Sequence, residues 1–175
     1  MARVQDAHSE VREMALFALG LLGDAQAMDT VLGAMQDYDA DVRLRALVAL
    51  GDLGYAQLED VLIRSMQDDA YLVREQALSQ LRHLATPRAM AAVLRALLER
   101  EYAMHQMAEE TLDRIAPKMG RDDYKEMLEQ LSLRERRLIL NYLEARNLQE
   151  VYNALWQRLQ IVSRAQPQTR GLDKY

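Results

Sequence analysis

Three stretches of this chain can be laid on one another without a gap: VQDAHSEVR (4–12), MQDYDADVR (35–43) and MQDDAYLVR (66–74). Each opens on an apolar residue followed by Gln-Asp and closes on Val-Arg, and successive copies stand 31 residues apart. The register extends beyond them. Ala15, Ala46, Ala77 and Ala108 obey it, as do Leu19, Leu50, Leu81 and Leu112. Gly20 matches Gly51, and Gly23 matches Gly54. A period of this length is one supersecondary unit. Such a unit cannot bury both of its faces alone and must stack on copies of itself. The period therefore restricts the chain to a repeat array before any other property is considered.

Within a unit the pattern reads as two helices. Val42, Ala46, Val48/Ala49 and Leu53 form one apolar stripe at helical spacing, and Leu58, Val61/Leu62 and Met66 form a second. Gly54 between them is a natural helix stop, because the left-handed conformation costs glycine least. Composition agrees: Pro (3), Gly (7) and Phe (1) are scarce among 175 residues rich in helix formers. The fold class is all-α, a right-handed α-solenoid of about five helical hairpins. The units fall near 6–36, 37–67, 68–98, 99–129 and 130–160, so one array occupies 1–162 and a polar tail 163–175. The fourth unit replaces Val-Arg by Met104-His105, and the fifth keeps little beyond Leu143, Leu155 and Leu159.

The phrases DAHSEVREMALFALGLLGD (6–24) and DYDADVRLRALVALGDLG (37–54) resemble the HEAT-repeat family, in the short form of phycobilisome-lyase-like proteins. The resemblance implies that Asp6/Arg12, Asp37/Arg43 and Asp68/Arg74 form a ladder of contacts between repeats. It also brings diverse functions, since the family includes scaffolds, chromophore lyases, a DNA glycosylase and an iron hydroxylase. A fold of this kind does not fix a function.

Several chemistries lose their support in the residues. Without cysteine there is no disulfide framework, thiolate zinc site or cysteine nucleophile. The same lack fits a reducing, cytoplasmic setting. No apolar run reaches the length of a membrane span. A di-iron centre would need His-Glu pairs on equivalent helices, but the histidines read His8-Ser9, His83-Leu84 and His105-Gln106, out of register. The acidic pairs, such as Glu59-Asp60 and Asp122-Asp123, fall on polar faces or in linkers. No metal and no cofactor are expected.

In a solenoid the second helices line the concave face. Their outward positions read Asp29, Asp60, Ala91, Asp122 in one column and Gly33, Arg64, Arg95, Glu126 in the next, with Arg88 in a third. The groove is acidic in the first two units and basic around Arg88 and Arg95. Mixed signs suit a protein partner. A net charge of −5 and a thin set of arginines argue against nucleic acid. Asp29, Asp60, Arg64, Arg88 and Arg95 are the contact strip expected first. Tyr71 and Tyr102, in register, and Trp156 are further candidates, either packing between repeats or meeting a partner. The methionines, Met14 among them, fall on apolar stripes and are read as core.

The opening VQDAHSEVR is a junction between units with only Met1-Ala-Arg ahead of it. The first helix then carries Phe17 and Leu21 outward, where a preceding unit would cover them, and self-association through this end is expected. The function read from the residues is a non-catalytic protein-interaction scaffold or adaptor, binding through the concave face and the uncapped ends. Two alternatives accompany it: a subunit of a bilin (phycobiliprotein) lyase-type complex, and a HEAT-like DNA-binding protein.

Overall fold

The computed structural model describes residues 2–98 and 101–145. They form α1 (Ser9–Leu22), α2 (Met28–Ala34), α3 (Ala40–Asp52), α4 (Leu58–Ser65), α5 (Tyr71–Leu81), α6 (Pro87–Ala96), α7 (Tyr102–Ile115), α8 (Arg121–Glu129) and α9 (Leu133–Ala145). Short 3-10 turns lie at Ala2–Gln5, Ala25–Ala27 and Ala116–Lys118. The first helices of the units start at 9, 40, 71, 102 and 133, so the 31-residue period governs all five starts. This is an all-α solenoid. Trp156 and the tail 163–175 lie outside the described residues.

α1, α3, α5 and α7 pack in sequence into one layer, while α4, α6 and α8 form the other. The core runs unbroken between the layers through Leu16, Leu47, Leu50, Leu62, Leu78, Leu94 and Leu112, all fully buried. Local signals set the helix ends. Gly54 takes φ +66°, the Tyr55 N–H donates to the Leu50 carbonyl and the Gly54 N–H to that of Gly51. These are the paired bonds of a Schellman stop. α6 starts on Thr86, whose hydroxyl accepts from the Ala89 N–H, with Pro87 in the first turn. α9 starts on a reciprocal box: Ser132 Oγ accepts the Glu135 N–H at 3.2 Å, and Glu135 accepts the Ser132 N–H at 2.7 Å.

Gly20 and Gly51 sit inside α1 and α3, where the next first helix crosses. A Cβ on Gly20 would stand 3.3 Å from Ala49 Cα and 3.2 Å from Asp52 Oδ2. Glycine here brings α1 and α3 close. Gly20→Leu should therefore cost about 1–3 kcal/mol through overpacking, read as a lower denaturant midpoint. Gly20→Ala should change little, because better helix propensity offsets the tight contact.

The ladder is present, with a geometry the six-residue spacing did not reveal. Arg12 gives Nε and Nη2 to the two oxygens of Asp37, both at 2.7 Å, and Nη1 to the Asp6 carbonyl at 3.0 Å. Arg43 repeats this with Asp68 at 2.9 and 2.7 Å and the Asp37 carbonyl at 2.9 Å. Each arginine thus binds the backbone of its own junction and the carboxylate of the next one. The third rung differs: Arg74 reaches Glu101 at 2.6 Å through one nitrogen. A fifth-unit member, Arg136, was not singled out from the sequence. It holds the ladder register and donates Nε to the Leu131 carbonyl at 3.0 Å, as Arg12 donates to that of Ala7.

These bonds set an acid limit on stability. Burial pushes the Asp37 carboxyl up, but hydrogen bonds from Arg12 and the Asp39 N–H outweigh it and leave it below its usual range. Asp68 is lowered in the same way by Arg43 and the Ala70 N–H. Glu135 is pushed down to about 2, first by the Ser132 hydroxyl and then by Arg95. Unfolded carboxylates titrate near 4, so the unfolded chain binds more protons in acid. The stabilisation is full above about pH 5 and drains away as the pH falls towards 2. Urea midpoints measured against pH should be flat from neutrality to about pH 5 and then drop.

Candidate functional site

The second helices carry two open grooves that are one site repeated. The larger, about 830 Å³, runs between the C-terminal halves of α2 and α4 and is lined by Met35, Gln36, Asp37, Arg64, Gln67 and Asp68 among others. The smaller, about 520 Å³, lies between the turn Ala2–Gln5 and α2, lined by Val4, Gln5, Asp6, Gly33, Gln36 and Asp37. Every residue of the smaller lining except Asp29 has its equivalent 31 residues on in the larger. Val4 is buried as Met66 is, so the N-terminal turn occupies the place of the last turn of a second helix.

At the floor, ladder carboxylates and guanidiniums neutralise each other. The walls carry the residues that can act outward. Asp29 lines both grooves and is exposed, with no ion pair in the described chain. Its equivalent Asp60 receives Arg88 at 2.5 Å. The position that would serve Asp29 in the same way is Gln57, which has no charge. Arg64 lines the larger groove and makes no ion pair among the described residues. Gly33 faces it from α2, and a Cβ there would meet nothing within 4 Å.

The structure divides the expected contact strip. Asp29 and Arg64 share one groove. Arg88 is committed to Asp60 and lies 3.7 Å from Glu59, which also accepts from the Thr86 hydroxyl. Arg95 donates Nε to Glu135 at 2.7 Å and also bonds the Gln130 carbonyl. Arg88 and Arg95, expected to form a basic patch, both tie hairpins together: Arg88 joins the third unit to the second, and Arg95 joins the third to the fifth. Among the second helices, α4 and α6 are tied by an ion pair, whereas none among the described residues joins α2 to α4.

The other candidates scatter. Tyr71 is half-buried, its hydroxyl 3.4 Å from Glu75 and its ring 5.9 Å from the Arg74 guanidinium. Tyr102 begins α7, 69% exposed. Phe17 lies under the Arg45 guanidinium at 5.4 Å and Leu21 is 70% exposed. Met14, read as core, is instead 64% exposed on the same side of α1. Its register equivalents Arg45 and Gln76 are polar, a signal that could have placed it outside. Among the described residues no group of His, Asp and Glu is placed to hold a metal ion. No helix among them is long and apolar enough to cross a membrane.

Comparison with known proteins agrees with this architecture. A family model of HEAT repeats matches residues 1–82 and again 37–113. No curated protein matches the sequence. Among solved structures, the complex of CpcE and CpcF of phycocyanin lyase from Nostoc sp. PCC7120 is similar with a TM-score of 0.55 and 22% identity. That alignment covers 88% of this chain and 66% of the other, so the chain spans a little under two thirds of that protein's length. An engineered protein from the Northeast Structural Genomics Consortium has a TM-score of 0.56 at 15% identity, covering 90% of this chain and 75% of its own. At these identities the likeness is one of fold.

Proposed function

Since this chain belongs to the HEAT-repeat family, whose stacked hairpins present extended concave surfaces, we propose that it is a non-catalytic scaffold that grips a protein partner in the α2–α4 groove. One observation carries this reading. The ion pair that ties α4 to α6, Asp60 with Arg88, has no counterpart among the described residues where Asp29 and Arg64 line the same 830 Å³ groove. A partner segment bearing one cation and one anion would satisfy both. Charges of this kind set register and encounter rate. A cytoplasmic setting belongs to the same reading.

A photo-crosslinking residue at Gly33, which has room for it, should capture one defined partner in the native host. The same residue on the outer face of α3 at Asp41 should not. Asp29→Lys with Arg64→Glu should weaken that partner at least tenfold while the melting temperature holds, roughly 1.4 kcal/mol or more of binding. Equal capture from both positions, or full affinity in the double variant, would remove the concave-face reading.

A second reading draws on the likeness to the phycocyanin lyase complex: a subunit that works beside another in attaching or detaching a bilin. Mixing the chain with bilin and a phycobiliprotein acceptor tests it, and no change in absorbance counts against it. A third reading is DNA binding through Arg64, Arg88 and Arg95, the last two of which also pair with carboxylates. Duplex affinity that survives moderate salt would support it.

A further inference from the structure

Three polar residues recur unchanged in the first three junctions: Asp6, Asp37 and Asp68; Arg12, Arg43 and Arg74; and Gln5, Gln36 and Gln67. The fold uses the first two sets in the ladder. It makes no use of the third. All three glutamines are exposed, and their side-chain amides make no hydrogen bond among the described residues. Gln5 and Gln36 border the smaller concave groove, and Gln36 and Gln67 the larger. The two grooves also share Asp29, Gly33 and Asp37, so they form one track with an unused carboxamide at each step.

A carboxamide carries both N–H donors and a carbonyl acceptor, and each peptide unit of a chain offers the complement. A row of such groups can therefore pair with a main chain whatever its side chains. Packed helices of neighbouring hairpins stand about 8–10 Å apart. A polyproline-II segment rises about 3.1 Å per residue with three residues per turn, so equivalent peptide groups recur at that pitch, and none is bonded internally. A β-strand repeats one edge every two residues, about 6.6 Å, and falls out of step. A helix keeps its main-chain groups for its own ladder. Gly33 adds room. It lies three residues before Gln36, lines both grooves, and has open space where a side chain would stand, so a bound backbone can come close.

We propose that the track binds an extended, polyproline-II segment of a partner protein by its main chain. Gln36 and Gln67 each pair with a peptide unit, three residues apart, and Gln5 pairs with a third. Asp29 and Arg64 take one basic and one acidic side chain of the segment, which fixes its register. The footprint is about seven residues. The column ends at Leu98, where the fourth glutamine position becomes apolar. The proposal rests on the reading that a protein partner occupies this groove, and it adds the partner's conformation and the atoms that are read.

A phage-displayed library of random twelve-residue peptides, selected on the whole chain, tests it. Binders should emerge that carry one basic and one acidic residue and show no helix when bound. The strongest is then remade with a single ester in place of each amide in turn, which removes one N–H. Losses of about fivefold should fall at positions three apart, with little change between them. Gln36→Ala with Gln67→Ala should weaken the peptide about thirtyfold and flatten that pattern. Gln26→Ala, at an exposed glutamine outside both grooves, should bind like wild type. The glutamines hold no contact in the fold, so thermal melts of these variants should match wild type and separate lost binding from lost structure. If Asp29→Lys with Arg64→Glu weakens binding and the glutamine double variant does not, this proposal is overturned and the groove reading stands. If neither weakens it, both fall. A library that yields no binder, a peptide that binds as a helix, or ester losses without the period of three also overturns the proposal.

Discussion

Arg43→Ala should lower stability by about 3 kcal/mol, because it leaves a mostly buried carboxylate without its cation. Arg43 and Asp68 are only 12% and 13% exposed, and the guanidinium meets both carboxylate oxygens. It also caps the carbonyls of Asp37 and Tyr38, at 2.9 and 3.2 Å. Its further contact to Asp69 counts for little, since that carboxylate is 92% exposed. For a chain of this length the loss corresponds to about 6–12 °C in melting temperature. Arg43→Lys should recover only part of it. An ammonium on a flexible stem cannot hold the planar two-point contact and reach two carbonyls as well. Arg74→Ala should cost clearly less, because its carboxylate partner Glu101 is 48% exposed and is met by one nitrogen. Equal losses at 43 and 74 would mean that the carbonyl bonds, common to both, carry the ladder and the carboxylates do not.

The contrast between these arginines marks what the residues alone could reveal. A fixed period sets where each hairpin begins, because the same apolar positions recur and stacking tolerates no slip. The starts at 9, 40, 71, 102 and 133 follow from it. Gly54 was readable as a stop for a local reason. The ladder was readable as a recurrence but not as a geometry. Asp37 and Arg43 stand six apart, yet the carboxylate that Arg43 binds lies 25 residues ahead in the next junction. Which way a long side chain reaches depends on the angle between hairpins, which no spacing encodes. The same angle brings Arg88 to Asp60 and Arg95 to Glu135, so two arginines that faced outward in a column of letters became ties between units. Arg136 was missed because its neighbour is Glu135 where Val precedes the earlier ladder arginines. Counting 31 from His105 finds it. The groove at Asp29 and Arg64 could be located by column, but its openness rests on pairs that are missing, and pairing is a property of the folded array.

Leu78→Ala should lower the stability of the whole array by roughly 3–5 kcal/mol, and Leu16→Ala should act locally. Both side chains are fully buried, and removing a buried leucine to Cβ costs its transfer energy plus the cavity left behind. The difference lies in position. Repeat arrays hold each unit by its own stability and by contacts with its nearest neighbours. α5, which carries Leu78, packs on α3 before it and α7 after it. A cavity there weakens the unit through which both flanks are joined, so the array melts as one at a lower temperature. α1, which carries Leu16, has a first-helix neighbour on one side only among the described residues. A cavity there lowers the cost of opening the first hairpin while α3 to α7 keep their contacts. Hydrogen exchange distinguishes the two. Leu16→Ala should speed exchange in α1 and α2 and leave α5 to α7 at their former rates, whereas Leu78→Ala should speed exchange across α3 to α7. Leu16→Ala effects that are global would show that the array is one cooperative block, with its first hairpin no easier to open than its middle.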